Sequence, residues 1–451
     1  MEKLRFPSNP LKLSRWLIIE YEIITGNINY YIGGNTQVPI SNTGELIRKL
    51  RDYGPYQKPS LRHNRIAFVY LDREDWKDLI EKLKTQIAEK LDDIWHINNT
   101  DLSDLTYDSS DFDSIKTQID KAIDSGVDAI MLILPGYMPN VYYKLKSYLI
   151  NNVSSQFMNH YVLTSRILPY NQLDYYTGNL LVQFISKLGG KPWILNIDPE
   201  RGSDIILGTG ATRIDNENLF CFAMVFKKDG TMLWNEISPI IRKEEYLTYL
   251  KESIEKAVKG FKENNPEWPV ERLTLHVSGK RPKIRNGETK VLEDTIEEFK
   301  GQDLISQDAK FAILHLNETH PYWIMGDPDN RYHPYEGTKV KLSSKRYLVA
   351  LSQPSQRRNG LEMVTPIKPL SVEIVSHNWT SEEFYPFASE ILDEIYYLSK
   401  MNWRGFKSRN LPVTVNYPKL VAKIITNINR YGGYQINTKG NRSLQTTPWF
   451  L

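Results

Sequence analysis

Between residues 65 and 190 the sequence alternates apolar strand-like runs with amphipathic segments at helical spacing. No other feature constrains the fold as much. Arg65–Leu71 is a β-branched and aromatic run, and an amphipathic segment from about Glu74 to Ile94 follows it. A second helical segment near Ser114–Asp124 leads into an apolar strand, Val127–Leu134, that stops at Pro135-Gly136. A helix at about Asn140–Ile150, a strand over Gln156–Leu163 and a helix at about Asp174–Leu188 complete the alternation. Strands separated by helices predict a parallel, Rossmann-like α/β sheet. In such sheets ligands sit beyond the carboxyl ends of the strands, near helix N-termini. The polar, acidic stretch Asn98–Asp113 reads as a loop.

From about residue 191 the pattern changes. Asp204–Gly210 reads as a strand, and Phe220–Phe226 and Met232–Ile237 flank Lys227-Lys228-Asp229-Gly230, a hairpin turn. A long helix (about Lys243–Asn264) and the strand Arg272–Val277 come next. Three antiparallel strands, a helix and another strand is the order of an RNase H-like domain. Further on lie strands at Phe311–Leu316 and Tyr347–Leu351, a helix at Ser381–Lys400, and Leu411–Val415 leading into a helix from about Pro418. Trp16–Ile24 reads as a strand whose partner the sequence does not identify. The expected division is an N-terminal segment, 1–40, a Rossmann-like unit, 41–190, and an RNase H-like unit, 191–451. Gly208-Thr209-Gly210 follows a strand but precedes no helix, so it reads as a strand bend and not a dinucleotide fingerprint.

At 451 residues and 41% hydrophobic content the chain has enough apolar material for two or three cores. Its net charge of +3 carries no bulk signature of a polyanion binder, but the balance is uneven. Up to residue 190 there are 21 Lys and Arg against 22 Asp and Glu; after it there are 36 against 32. Basic clusters at Lys280–Arg285, Lys339–Arg346, Arg357-Arg358 and Arg404–Arg409 favour a polyanionic partner for the second part. The single cysteine, Cys221, excludes intramolecular disulfides and thiolate zinc sites, and its apolar strand marks it as core. No apolar run is long enough to span a membrane and the N-terminus does not resemble a signal peptide. A soluble, cytoplasmic protein is expected.

Six polar residues carry the chemistry. They read Tyr142-x3-Lys146, then Gln156, then Asn179-x3-Gln183-x3-Lys187. Spacings of four place each group on one helix face. An aromatic ring, two ammonium groups and three amides suit a phosphorylated terminal nucleotide: ring on base, lysines on phosphate, amides as hydrogen-bonding groups. The same spacing also describes an ordinary solvated helix face.

Joined through Lys187–Trp193 to the RNase H-like pattern, this constellation resembles the MID–PIWI core of Argonautes. More narrowly the chain resembles the short prokaryotic Argonautes, over about residues 60–451, with support from the segments 360–371, 398–403 and 411–422. The resemblance implies a MID domain over 41–190 that holds the 5′-phosphate of a small guide, and a PIWI domain over 191–451. Tyr142 would stack on the first guide base. Lys146, Gln156 and Lys187 would bind its phosphate, with Asn179 contributing to the pocket. Gln183 and the carboxylate of Leu451 would hold Mg²⁺, which bridges phosphate and carboxylate charges.

Slicing Argonautes place carboxylates, or a histidine, at three PIWI positions. By the resemblance these positions read Gly210, Ser278 and Lys419 here, and none is a usable metal ligand. The implied function is guide-dependent recognition of a target without cleavage. The guide would be RNA and the target DNA, with a separately encoded partner that supplies an N-terminal lobe and a toxic effector in defence against phage or plasmids. Two other readings stay open. One is an active nuclease with a rearranged metal site built from Asp204, Glu236 or Glu244. The other is a small-molecule sensor binding a free nucleotide in the Rossmann-like half. Metal ligation by His315, His320 and His333 is weakly supported, because no cysteine or H-E-x-x-H helix accompanies them.

Overall fold

The computed structural model describes residues 2–7, 16–24, 28–152, 160–163, 173–198, 200–278, 287–325, 334–352, 368–407, 410–432 and 442–451. In chain order, β1 (Glu2–Pro7), β2 (Trp16–Ile23), β3 (Ile28–Ile32) and β4 (Thr36–Ile40) precede α1 (Thr43–Tyr53). An alternating section follows: β5 (Arg65–Leu71), α2 (Lys77–Asp93), β6 (Asp101–Tyr107), α3 (Phe112–Asp124), β7 (Ala129–Ile133), α4 (Pro139–Asn152), β8 (His160–Leu163) and α5 (Leu173–Lys187). Then come β9 (Ile194–Leu195), β10 (Ile205–Arg213), β11 (Asn218–Lys227), β12 (Met232–Ile237), β13 (Ile241–Arg242), α6 (Tyr246–Asn264) and β14 (Arg272–Ser278). The chain continues through α7 (Glu288–Gly301), β15 (Lys310–Asn317), β16 (Thr338–Ser343), β17 (Arg346–Val349), β18 (Leu370–His377), α8 (Ser381–Leu398), α9 (Val413–Asn427) and α10 (Arg442–Thr446).

The alternating section forms the parallel sheet that its pattern predicts, in the order β6-β5-β7-β8. Its inner strand β7 is buried along its whole length, as an all-apolar run between two helical layers must be. The buried carboxylate of Asp128 accepts from the backbone N–H groups of Arg62, His63 and Arg65 at 2.8–3.0 Å, tying the entry of β5 to the entry of β7. The expectation of a loop at Asn98–Asp113 is corrected: Asp101–Tyr107 is the edge strand β6, paired with β5 along seven residues. Asp101 and Asp104 face solvent, which breaks up the apolar signal while leaving the backbone pairing intact.

An 11-stranded sheet runs β1-β2-β16-β17-β18-β15-β14-β10-β11-β12, with β13 beside β11. β14 lies parallel to β10 on the side away from β11, and β15 is parallel to β14. This is the RNase H-like arrangement expected from the order of elements. The hairpin turn is closed by Gly230 at φ +85° and by the Asp229 side chain, which accepts from Thr231 N at 2.8 Å. β2 finds its partners in β1 and β16, so the strand left unassigned in the sequence extends the large sheet. β3 and β4 join β9 in a third, three-stranded sheet.

The expected helix start at Pro418 is also corrected. α9 begins at Val413 after Pro412, and Pro418 lies inside it. Valine and threonine near the N-terminus of the helix mimic a strand run. Pro418 lacks the N–H that would bond Thr414 O. That carbonyl instead lies against Gly208 on β10, where a Cβ would fall 2.2 Å from it. Gly208 therefore marks a close approach of α9 to an unbroken strand, not a bend.

The largest core cluster is shared by both sheets. It takes Phe68, Met131, Leu181 and Phe184 from the alternating section and Ile206, Met224, Leu398, Trp403 and Tyr417 from the large-sheet section. The chain's last residues, Trp449, Phe450 and Leu451, are buried in the same cluster, as their apolar character predicts.

Candidate guide-end site

The site lies where α4 and α5 meet the loop after α8 and the C-terminal tail. Tyr142 and Lys146 share a face of α4, with the Lys146 ammonium 5.8 Å from the Tyr142 ring centroid. On its other side the same ammonium lies 5.7 Å from the Trp449 ring. Lys146 is 1% exposed, an extreme burial for a lysine. Burial, and secondarily the charge of Arg404, lowers its pKa to about 7. Lys187, the last residue of α5, is also buried and is lowered well below its ordinary value by burial first, then by Lys146 and Arg404. Two buried lysines thus lie within reach of the charge of the exposed Arg404, which raises the cost of charging each lysine and favours an entering anion.

Asn179 and Gln183 lie one turn apart on α5 and both reach the Arg404 loop. Asn179 Oδ1 accepts from Phe406 N at 3.0 Å, and its amide nitrogen donates to Tyr175 O at 2.9 Å. Gln183 Nε2 donates to Arg404 O at 2.9 Å. A Cβ at Gly405 would sit 2.2 Å from Asn179 Oδ1, so glycine is what lets the loop approach this closely. The two amides expected in the pocket therefore place Arg404 beside the lysines. With the Gln183 nitrogen engaged, its carbonyl oxygen is the atom suited to a cation. Gln156 lies outside the described residues.

Sequence reasoning missed Arg404 and Trp449 as parts of this site. Arg404 belongs to a basic cluster that the sequence does show, but 217 residues separate it from Lys187 and no spacing connects them. Around the site, Tyr137 (71% exposed) and Tyr175 (61% exposed) offer uncovered aromatic faces at the starts of α4 and α5.

In the large sheet Gly210 and Ser278 are neighbours on β10 and β14, with Ser278 O 3.7 Å from where a Cβ of Gly210 would lie. That Cβ would also lie 3.0 Å from the Phe222 ring. Lys419 is ion-paired with Glu318. His276, one strand turn before Ser278, is wholly buried against Thr414 Oγ1 at 2.7 Å, and burial lowers its pKa to about 3. Among the described residues no three of His, Cys, Asp and Glu gather into a group that could hold a metal ion. Asp204 sits at the opposite end of β10, capping the Glu271 and Arg272 N–H groups at 2.8 Å each, while Glu236 accepts from Gln445. The candidates for a rearranged metal site are therefore dispersed. His320 uses both ring nitrogens, on Pro369 O and Tyr322 N, and His333 lies outside the described residues.

The basic clusters fare unevenly. Lys280–Arg285 and Arg357-Arg358 lie outside the described residues. In Lys339–Arg346, Lys339 is buried and paired with Asp393 at 2.8 Å, and Arg346 pairs with Glu373 at 3.1 Å, so this cluster is partly structural and not a free cationic stripe.

Residues 129–430 match the model of the Piwi domain family. The chain is 68% identical over 434 residues to the Piwi protein of Archaeoglobus fulgidus, covering 96% of this chain and all of that one. It is 21% identical over 307 residues to the protein argonaute of Cereibacter sphaeroides, covering 63% of this chain and 38% of that one. Among solved structures, Drosophila Piwi superposes with a TM-score of 0.74 at 14% identity, over 97% of this chain and 57% of that one. Clostridium butyricum Argonaute bound to a guide DNA and a 19-mer target DNA superposes with a TM-score of 0.68 at 18% identity, over 92% and 54% respectively. The chain thus spans the whole of the archaeal relative and little more than half of either solved chain. No helix among the described residues is long and apolar enough to cross a membrane.

Proposed function

The chain belongs to the Piwi family of Argonaute-like, guide-binding proteins, and from that premise we propose that it loads a short 5′-phosphorylated guide and recognises a complementary strand without cutting it. One observation carries the reading: Lys146 and Lys187 are buried together under the charge of Arg404, an arrangement that an incoming phosphate relieves. Tyr142 would stack on the terminal base. Gln183 and the Leu451 carboxylate are the groups that would hold a Mg²⁺ ion, and that ion would bridge the phosphate and carboxylate charges. Backbone contacts would supply affinity and base pairing would supply sequence.

The proposed absence of cleavage rests on residue chemistry at the three PIWI positions. Glycine offers no ligand, serine a weak neutral one, and Lys419 a cation where a metal would need an anion. An RNA guide with a DNA target remains the reading drawn from the short Argonautes, although the Clostridium butyricum neighbour holds a guide DNA. In the same reading a separately encoded protein supplies the N-terminal lobe and a toxic effector for defence against phage or plasmids, with this chain acting in the cytoplasm.

The test is a binding titration with 5′-phosphorylated and 5′-hydroxyl guides, of RNA and of DNA, in Mg²⁺ and in EDTA. Charge-assisted contacts contribute about 1.5–3 kcal/mol each, so the phosphate should tighten binding by more than ~10-fold. Lys187→Ala should reduce that preference, and EDTA should reduce it in the wild type. Equal affinity for both guide ends would sink the reading. Metal-dependent cleavage of a paired target, abolished by Asp204→Ala or Glu236→Ala, would favour the nuclease instead.

A further inference from the structure

A second cleft lies away from the guide-end site, between the β16–β17 hairpin with its neighbour β2 and the first turns of α8. Its volume is about 260 Å³, a little under the usual range for small-molecule sites. Strand register defines its chemistry. Lys341 stands directly across from Tyr347, and Lys339 from Glu22, so all four side chains project from one face of the sheet toward α8. From α8, Tyr385 and Ser389 close the other wall.

The two lysines are not equivalent. Lys339 is 7% exposed and saturated, with Asp393 Oδ1 at 2.8 Å, Ser389 Oγ at 3.0 Å and Glu22 Oε2 at 3.3 Å. It fixes the floor. Lys341 is exposed, and among the described residues no carboxylate lies within ion-pairing distance of it. Its ammonium rests instead 4.4 Å over the Tyr385 ring and 3.4 Å from that ring's hydroxyl. Tyr385 is 58% exposed, whereas Tyr347 is buried at the base of the cleft. The Glu22 carboxylate, two-thirds exposed, adds an acceptor at the rim.

The cleft therefore offers an exposed aromatic ring with Lys341 against one face, one cation without a carboxylate partner among the described residues, and one carboxylate acceptor. A polyanionic strand would call for several cations along a track. A single cation beside a ring suits one phosphate and one base. We propose that this cleft binds a single nucleotide, its base stacked on Tyr385, its phosphate on Lys341 and an exocyclic amine or sugar hydroxyl on Glu22. The ligand is either a free mononucleotide or one nucleotide at the end of a strand, and it is bound independently of the guide.

Equilibrium dialysis with radiolabelled adenosine 5′-monophosphate tests this, using the full chain as wild type, Lys341→Ala, Tyr385→Ala, Tyr385→Phe and Lys187→Ala. Loss of a stacking partner or of a phosphate contact should each weaken binding by ~10-fold. Tyr385→Phe should bind as wild type does, and Lys187→Ala should retain a site that Tyr385→Ala lacks. Binding of a 5′-phosphorylated guide should be unchanged in Tyr385→Ala. A short 5′-hydroxyl oligonucleotide that displaces the nucleotide from the Lys187→Ala protein identifies a strand end as the source; failure to displace identifies the free mononucleotide. The proposal is overturned if no variant binds adenosine monophosphate, or if Lys187→Ala alone abolishes binding. Loss of the guide's phosphate preference would leave this site standing.

Discussion

At the scale of single residues the site turns on lysines that are hard to charge. In water a lysine holds its proton to about 10.5, whereas burial and then Arg404 bring Lys146 down to about 7. Between those values the unfolded chain binds more protons than the folded one, so this group makes the free protein more stable as pH rises from 7 toward 10.5. A phosphate beside the ammonium reverses the preference and restores the proton. Guide loading at pH 8 should therefore take up protons, and its calorimetric enthalpy should vary with the ionisation enthalpy of the buffer. Affinity for the 5′-phosphorylated guide should fall as pH climbs above 7, and Lys146→Met should flatten both effects. Proton release on loading, or no exchange at all, would mean that Lys146 does not meet the phosphate.

At the scale of elements the packing of α9 on β10 is the most demanding contact. The Thr414 carbonyl, freed by Pro418, occupies the space above Gly208, and a methyl group there would meet backbone 2.2 Å away. Gly208→Ala must push the helix outward, and overpacking of this kind costs about 1–3 kcal/mol. A lowered denaturation midpoint with an unchanged denaturant slope would agree; a neutral effect would show that the helix shifts freely. Neither proline nor glycine announces this contact in the sequence, where Gly208-Thr209-Gly210 looks like a bend and Leu411–Val415 like a strand. Elements whose apolar period matched their structure were read correctly, among them β5, β7, α2, α5, α6, α8, β14 and the β11–β12 hairpin. β6 was hidden because an edge strand needs only backbone pairing, and its Asp101 and Asp104 face water. Lys146 and Lys187 were legible through helical spacing, but Arg404 was not, since only the folded chain brings it to them.

At the scale of the whole molecule the two sheets are not independent bodies. Trp403 is 3% exposed and donates its indole N–H to Trp193 O at 3.2 Å, while Phe406 stacks on Trp193 and Trp95. Those rings belong to one cluster with residues of the parallel sheet, the large sheet and the C-terminal tail. The guide-end site is built on the same seam, with lysines from α4 and α5, Arg404 from beyond α8 and Trp449 from the tail. Separating the halves would expose the seam and dismantle the site together. Thermal unfolding followed by far-UV circular dichroism and by tryptophan fluorescence should accordingly give one coincident transition. Trp403→Ala, which truncates a buried indole at the centre of the seam, should cost about 3–5 kcal/mol and move both signals by the same amount. A 5′-phosphorylated guide, binding only the folded seam, should raise both midpoints together, by about 2.7 kcal/mol of stabilisation when present at 100 times its dissociation constant. Two separate transitions, with only one responding to the guide, would show that the site forms within one half and that the shared core does not couple them.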